Sequence, residues 1–100
     1  MKGAGLDDHG LVERARQGDS GAYADLVQKH QKIAFKVAYL ITGDGAEAED
    51  VVQDAFVKAY QSLARFRGGH SFRPWLVKIV TNEAKSRRVS ARRRGLRELA

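Results

Sequence analysis

Acidic and amide side chains crowd one short stretch near the middle of the chain: Asp44, Glu47, Glu49, Asp50, Gln53 and Asp54. Paired carboxylates can act as general acid and base or hold a divalent ion. Either chemistry needs companions, and no histidine, nucleophile or phosphate-cradling glycine loop accompanies these acids. Composition leaves two readings. One is a solvated helix N-terminus whose negative charge suits the macrodipole; the other is a docking surface for a basic partner. A second group interleaves rings with cations: Tyr60, Phe66, Phe72 and Trp75 among Arg65, Arg67 and Arg73. In a small bundle such rings can equally be core. Phe66 and Phe72, however, flank the segment Arg67-Gly68-Gly69-His70-Ser71, too glycine-rich to be deeply buried. Rings and guanidinium groups bordering such a loop are what single-stranded nucleic acid binding requires, because bases stack on the rings while the cations track phosphates. The third group is a polar stripe of Lys78, Thr81, Asn82, Lys85 and Arg92, with Arg88 at its margin. A charge stripe is often only a solvated face. Here the one nearby acid, Glu83, falls on the other side, and an amide among cations can read a base edge while its neighbours hold phosphates.

Helices must position all three groups, because strand alternation is essentially absent. A first short helix is expected from a cap at Asp7 or Asp8, through Leu11, Val12 and Ala15, to about Gln17. Gly18-Asp19 breaks it. A second opens at Asp19 or Ser20 and closes at Gly43, a C-cap glycine. Tyr23, Leu26, Val27, Ala34, Val37, Ala38 and Ile41 recur on it at three- and four-residue spacing, with His30 in the same row. A third begins near Asp44, buries Ala48, Val52, Ala55, Phe56, Ala59 and Leu63, and is expected to end at Gly68-Gly69. A fourth follows Ser71 as N-cap, with Pro74 in its first turn, where no hydrogen-bonded N–H is lost. Phe72, Trp75, Leu76, Ile79, Val80 and Glu83 share one side of it. The tail from Arg87 to Arg94 is too charged to pack, so it either extends the helix into solvent or forms a flexible connector. The fold class is therefore all-α: a compact bundle of three long helices plus a short N-terminal one.

Composition narrows the functions available. One hundred residues suffice for one domain. The absence of cysteine excludes disulfides and thiolate zinc sites, and His9, His30 and His70 lie at no ligand-like spacing, so no metal or cofactor is expected. No apolar leader and no run approaching the ~20 residues of a membrane span is visible, which points to the cytoplasm. Charge is divided unevenly. Up to Ala64 there are seven Lys/Arg against ten Asp/Glu, a net −3; from Arg65 onward there are eleven against two, a net +9. The basic third suits a polyanion, while the acidic front argues against indiscriminate coating of DNA.

Three motifs in order resemble the extracytoplasmic-function group of bacterial sigma factors. Ala48-Glu49-Asp50-Val51-Val52-Gln53-Asp54-Ala55-Phe56 is similar to that group's A-E-D-hydrophobic-hydrophobic-Q-x-x-F signature. Phe72-Arg73-Pro74-Trp75-Leu76, then Ile79 and Asn82, resembles its F-x-x-W-L-x-x-I-x-x-N pattern. Gly18-Asp19, Ala22-Tyr23 and Leu26 resemble its G-D-x-x-A-F-x-x-L opening. The resemblance covers about residues 11 to 94 and implies a sigma region 2 domain, a binding module without catalysis. It implies docking of Glu49, Asp50, Gln53 and Asp54 on a coiled coil of the largest subunit of core RNA polymerase. It also implies capture of the single-stranded promoter −10 element by the loop from Phe66 to Phe72, with Trp75, Lys78, Asn82 and Lys85 alongside. An anti-sigma factor occluding either face would be typical of the group. The group's second domain, which binds the −35 element, is not in this sequence, so residues 1–94 are expected to form region 2 and 95–100 to begin a linker.

Three other readings compete. A non-specific helical nucleic-acid-binding module would be anchored by the Arg87–Arg94 tail. A pure protein-interaction domain would present its basic helix to an acidic partner. A small hydrolase would use the acidic cluster, without the histidine or nucleophile that it needs.

Overall fold

Gly18 and Gly43 divide the first half of the chain because each takes up the left-handed backbone that side chains resist, with φ of 99° and 70°. In the computed structural model, which describes residues 8–66 and 71–99, they separate α1 (His9–Arg16), α2 (Ser20–Thr42) and α3 (Gly45–Gln61). A single 3-10 turn, Leu63–Arg65, follows α3, and α4 runs from Phe72 to Leu99. The breaks are reinforced by caps. Asp19 Oδ1 accepts from the Ala22 amide at 3.1 Å, and Asp44 Oδ1 from the Glu47 amide at 2.9 Å. Asp8 stands at the N-cap position of α1, yet its side chain caps nothing there; it reaches across to α2 instead. The other expected cap, Asp7, lies outside the described residues.

α2 is the central element, packed against α1, α3 and α4, with α3 also packed on α4. Its inner stripe is small and polar as well as apolar: Ala22, Leu26, His30, Ala34 and Ala38 are buried. Alanine at successive turns lets the helices approach closely, so the core is filled by Leu26, Val51, Leu76 and Val80 from the three long helices. Tyr23 fastens α2 to α3: its hydroxyl donates to the Phe56 carbonyl at 2.5 Å, and its ring meets Tyr60 edge-on at 4.9 Å. Burial, with the charge of Tyr60 second, pushes the Tyr23 hydroxyl above the usual tyrosine range.

Two expected features are corrected. α3 ends at Gln61, not at Gly68-Gly69, which lie outside the described residues. The chain there tightens into the 3-10 turn and leaves it in extended conformation at Phe66. On α3 itself Val51 is fully buried and Val52 only half so, because the helix faces both α2 and α4 and its buried stripe is correspondingly wide. The charged tail stays helical, continuing unbroken through Arg94 to Leu99. No break therefore coincides with the linker start expected at residue 95. This extension accounts for the elongated outline, 56 × 24 × 22 Å. Among the described residues, no helix is long and apolar enough to cross a membrane.

Candidate nucleic-acid interface

The ring cluster forms between the end of the 3-10 turn and the first turn of α4. Phe66 and Phe72 are 3% and 2% exposed, so both are core residues. Each packs on Trp75, with centroids 4.9 Å and 5.7 Å away, and they meet each other at 6.1 Å. The expectation that Phe66 and Phe72 offer faces to a base is corrected by this burial: hydrophobic transfer draws both rings inward even though a glycine-rich sequence lies between them. Trp75 is the member of the cluster left half-exposed, and it sits on this aromatic bed as the ring available for stacking. Arg65, Ser71 and Arg73 are exposed around it. Arg67 and His70 lie outside the described residues.

From Trp75 the polar stripe continues along α4. Lys78, Asn82 and Lys85 are exposed on the helix whose opposite side buries Leu76, Val80 and Ala84. Asn82 also lies on the wall of a 360 Å³ cleft, with Lys58, Ser62, Ile79, Glu83 and Ser86. Lys58 Nζ closes one side by donating to Glu83 Oε1 at 2.5 Å. Lys58, Ser62 and Ser86 escaped sequence reasoning because no periodicity on one helix reveals which residues of two helices face each other.

The stripe ends in contacts within the protein. The Arg87 guanidinium donates to Glu47 Oε2 at 3.0 Å and to Asp54 Oδ2, with Glu83 at 3.9 Å. These bonds, that to Glu47 foremost, hold the guanidinium even more firmly protonated than usual. Arg88 Nη1 donates to the Ile41 carbonyl at 2.7 Å, satisfying an orphan acceptor at the end of α2. The reading of Arg87 as part of a tail too charged to pack is thus corrected: acids on α3 draw it in. Arg88, expected on the nucleic-acid face, is likewise engaged at α2. Arg87→Gln should lower stability by about 1 kcal/mol, since it leaves like charges together but breaks only partly exposed pairs. A thermal melt checks this, and a loss that vanishes in high salt is expected.

The acidic cluster divides in two. Glu49 and Gln53 line a 530 Å³ groove between α2 and α3 with Gln31, Lys32, Phe35 and Val52. Asp50 is exposed beside it. Asp54 and Glu47 turn toward Arg87 on the α4 side. Sequence reasoning missed Phe35, which is exposed and stacked on Tyr39 at 6.0 Å. The available signal was a pair of rings at i and i+4 lying off the buried stripe. Among the described residues, no group of His, Cys, Asp and Glu could hold a metal ion.

The model of the sigma-70 region 2 family matches residues 14–94. The RNA polymerase sigma-H factor of Pseudomonas aeruginosa is 42% identical over 87 residues, which cover 87% of this chain and 45% of that protein. The ECF RNA polymerase sigma-E factor of Escherichia coli K12 is 45% identical over 91 residues, 89% of this chain and 46% of that one. The chain spans about half the length of the curated relatives it matches. Among solved structures, an engineered region 2 of sigmaE in complex with GTAAAA superposes with a TM-score of 0.84 at 36% identity, covering 93% of this chain and 97% of that one. CnrH in complex with the cytosolic domain of CnrY gives 0.74 at 32% identity, covering 79% and 51%.

Proposed function

The chain belongs to the sigma-70 region 2 family, and we propose that it serves as the promoter-melting domain of an extracytoplasmic-function sigma factor, acting in the cytoplasm by binding alone. The observation that carries this reading is the presence of two separate polar surfaces on one small bundle, a groove between α2 and α3 and a basic stripe on α4. The groove, lined by Glu49 and Gln53 with Lys32 and flanked by the exposed Asp50, meets core RNA polymerase. A basic face on α4 presents Arg73, Trp75, Lys78, Asn82 and Lys85, with the 67–70 segment, to single-stranded −10 DNA. Asp54, paired with Arg87 on the α4 side, would reach the polymerase only by giving up that contact. Unstacking a base costs a few kcal/mol, and stacking on one aromatic ring returns ~1–3 kcal/mol, so Trp75 and the backbone contacts together can hold an opened strand. A relative solved with GTAAAA supports the nucleic-acid side. The relative solved with a CnrY domain supports a protein regulator for this domain, in the manner of an anti-sigma factor. On this reading residues 95–100 lead toward a second, promoter-binding domain.

The test is titration of the labelled domain with core RNA polymerase, which requires no knowledge of the promoter. Saturable binding is expected, weakened about tenfold by Asp50→Ala and by Gln53→Ala, and untouched by Asn82→Ala. Asn82→Ala should instead impair open-complex formation. Failure to bind a core enzyme that accepts another sigma factor would reject the docking role. The rival reading, a non-specific module anchored by residues 87–94, predicts that deleting the tail abolishes DNA affinity; base-dependent binding after deletion counts against it.

A further inference from the structure

His30 is a buried ionisable residue that the preceding reading leaves without a task. It lies on the inner stripe of α2 at 2% exposure, where an aliphatic side chain would be cheaper to bury. Both ring nitrogens are nevertheless engaged. Nε2 stands 2.8 Å from Asp8 Oδ2, and Lys29 Nζ donates to the other oxygen of the same carboxylate at 2.5 Å. On Nδ1 the partner is Arg73 Nε, at 3.3 Å. Two of these assignments fix the third. Ionised Asp8 can only accept and a guanidinium can only donate, so the imidazole proton resides on Nε2 and Nδ1 offers a lone pair to Arg73. The Phe72 ring, 5.3 Å from the imidazole, holds the same first turn of α4.

We propose that His30 is the positioning residue for Arg73: by holding Nε from below, it aims the two terminal nitrogens outward as a fork for a backbone phosphate of the bound strand. This rests on the assignment of the α4 face to single-stranded DNA. An arginine loses much side-chain entropy when it forks a phosphate, and fixing Nε beforehand removes part of that cost. The charged groups facing the ring are Asp8 from the N-cap of α1, Lys29 on its own helix and Arg73 from α4. Burial chiefly, against the opposing pull of Asp8, keeps His30 below the usual histidine range. On acidification below the usual histidine range, a proton arriving at Nδ1 converts the acceptor into a donor facing a cation, and the support for Arg73 is lost.

The experiment measures binding of a labelled single-stranded oligothymidylate by wild type, His30→Gln, His30→Asn, Arg73→Ala and the double variant His30→Gln/Arg73→Ala. The glutamine amide keeps the donor toward Asp8 and lacks the Nδ1 acceptor, whereas the asparagine carbonyl replaces that acceptor. His30→Gln and Arg73→Ala should each weaken binding by roughly three- to tenfold, the loss of one screened phosphate contact. The double variant should be no weaker than Arg73→Ala, and His30→Asn should recover part of the loss. Wild type should also weaken on acidification while His30→Gln does not. Additive losses in the double variant, or an unaffected His30→Gln, would overturn the inference alone. No binding by wild type would overturn the DNA reading and the inference together. Should His30→Gln melt below the assay temperature, Arg73→Lys serves: it keeps the charge but cannot be held and forked at once, and wild-type affinity there would also sink the idea.

Discussion

Phe66→Ala should destabilise the domain by about 3–5 kcal/mol, the usual cost of emptying a buried phenylalanine site. For a domain of this size that is a large share of a total of about 5–15 kcal/mol, and the melting temperature should fall by well over ~10 °C. The reason is positional. Phe66 is the last residue before the 67–70 segment, and its ring is the bed on which Trp75 lies at 4.9 Å. Removing it opens a cavity beneath Trp75. Phe66→Leu separates the core role from a stacking role. Leucine fills most of the volume, so stability should drop by less than about 1.5 kcal/mol, and affinity for single-stranded DNA should stay near wild type. Circular-dichroism melts and oligonucleotide binding measured on both variants decide the matter. If Phe66→Leu melts normally yet loses DNA affinity, the ring stacks on a base after all, and its burial here belongs to the unbound form.

How much of this was legible in the sequence depends on how local each feature is. The helix count, the break at Gly18-Asp19 and the left-handed cap at Gly43 were readable because caps and breakers act within one turn. The inner stripe of α2 was readable because periodicity over 23 residues averages out exceptions. The errors fall where two elements meet. Phe66 reads as a loop aromatic until the 3-10 turn after Gln61 carries it back under Trp75. Arg87 reads as solvated tail until α3 sets Glu47 and Asp54 opposite it. His30 stood in an apolar row with nothing to indicate its partners, since Asp8 lies 22 residues before it and Arg73 lies 43 after it. The acidic cluster was visible as a run of acids, yet its division between a groove and an intramolecular pair required the packing of α4 on α3.

That distance in sequence gives the second large prediction. Asp8→Ala, at the edge of an eight-residue helix, should cost about 2–3 kcal/mol, more than an end residue normally would. The carboxylate serves two buried or half-buried partners, and its loss orphans His30 Nε2 inside the core, where an unsatisfied donor costs ~1–3 kcal/mol. Lys29 loses this carboxylate as well. The pH dependence should change with it. Wild-type His30 titrates below its ordinary value because of burial, so the unfolded chain binds more protons than the folded one just below pH 6.5, and stability falls as pH drops through that window. Asp8 adds a second decline at lower pH. Burial alone would raise its carboxyl, but bonds and charge from Lys29 and His30 bring it below the usual range, and its contribution disappears as it protonates. In Asp8→Ala the lower decline should be lost. The histidine decline should extend further down, because the carboxylate that favours the imidazolium is gone. Urea melts of both proteins across this range test the prediction. A variant as stable as wild type, or a pair of parallel pH curves, would show that the Asp8–His30 bond contributes nothing to holding α1 on α2.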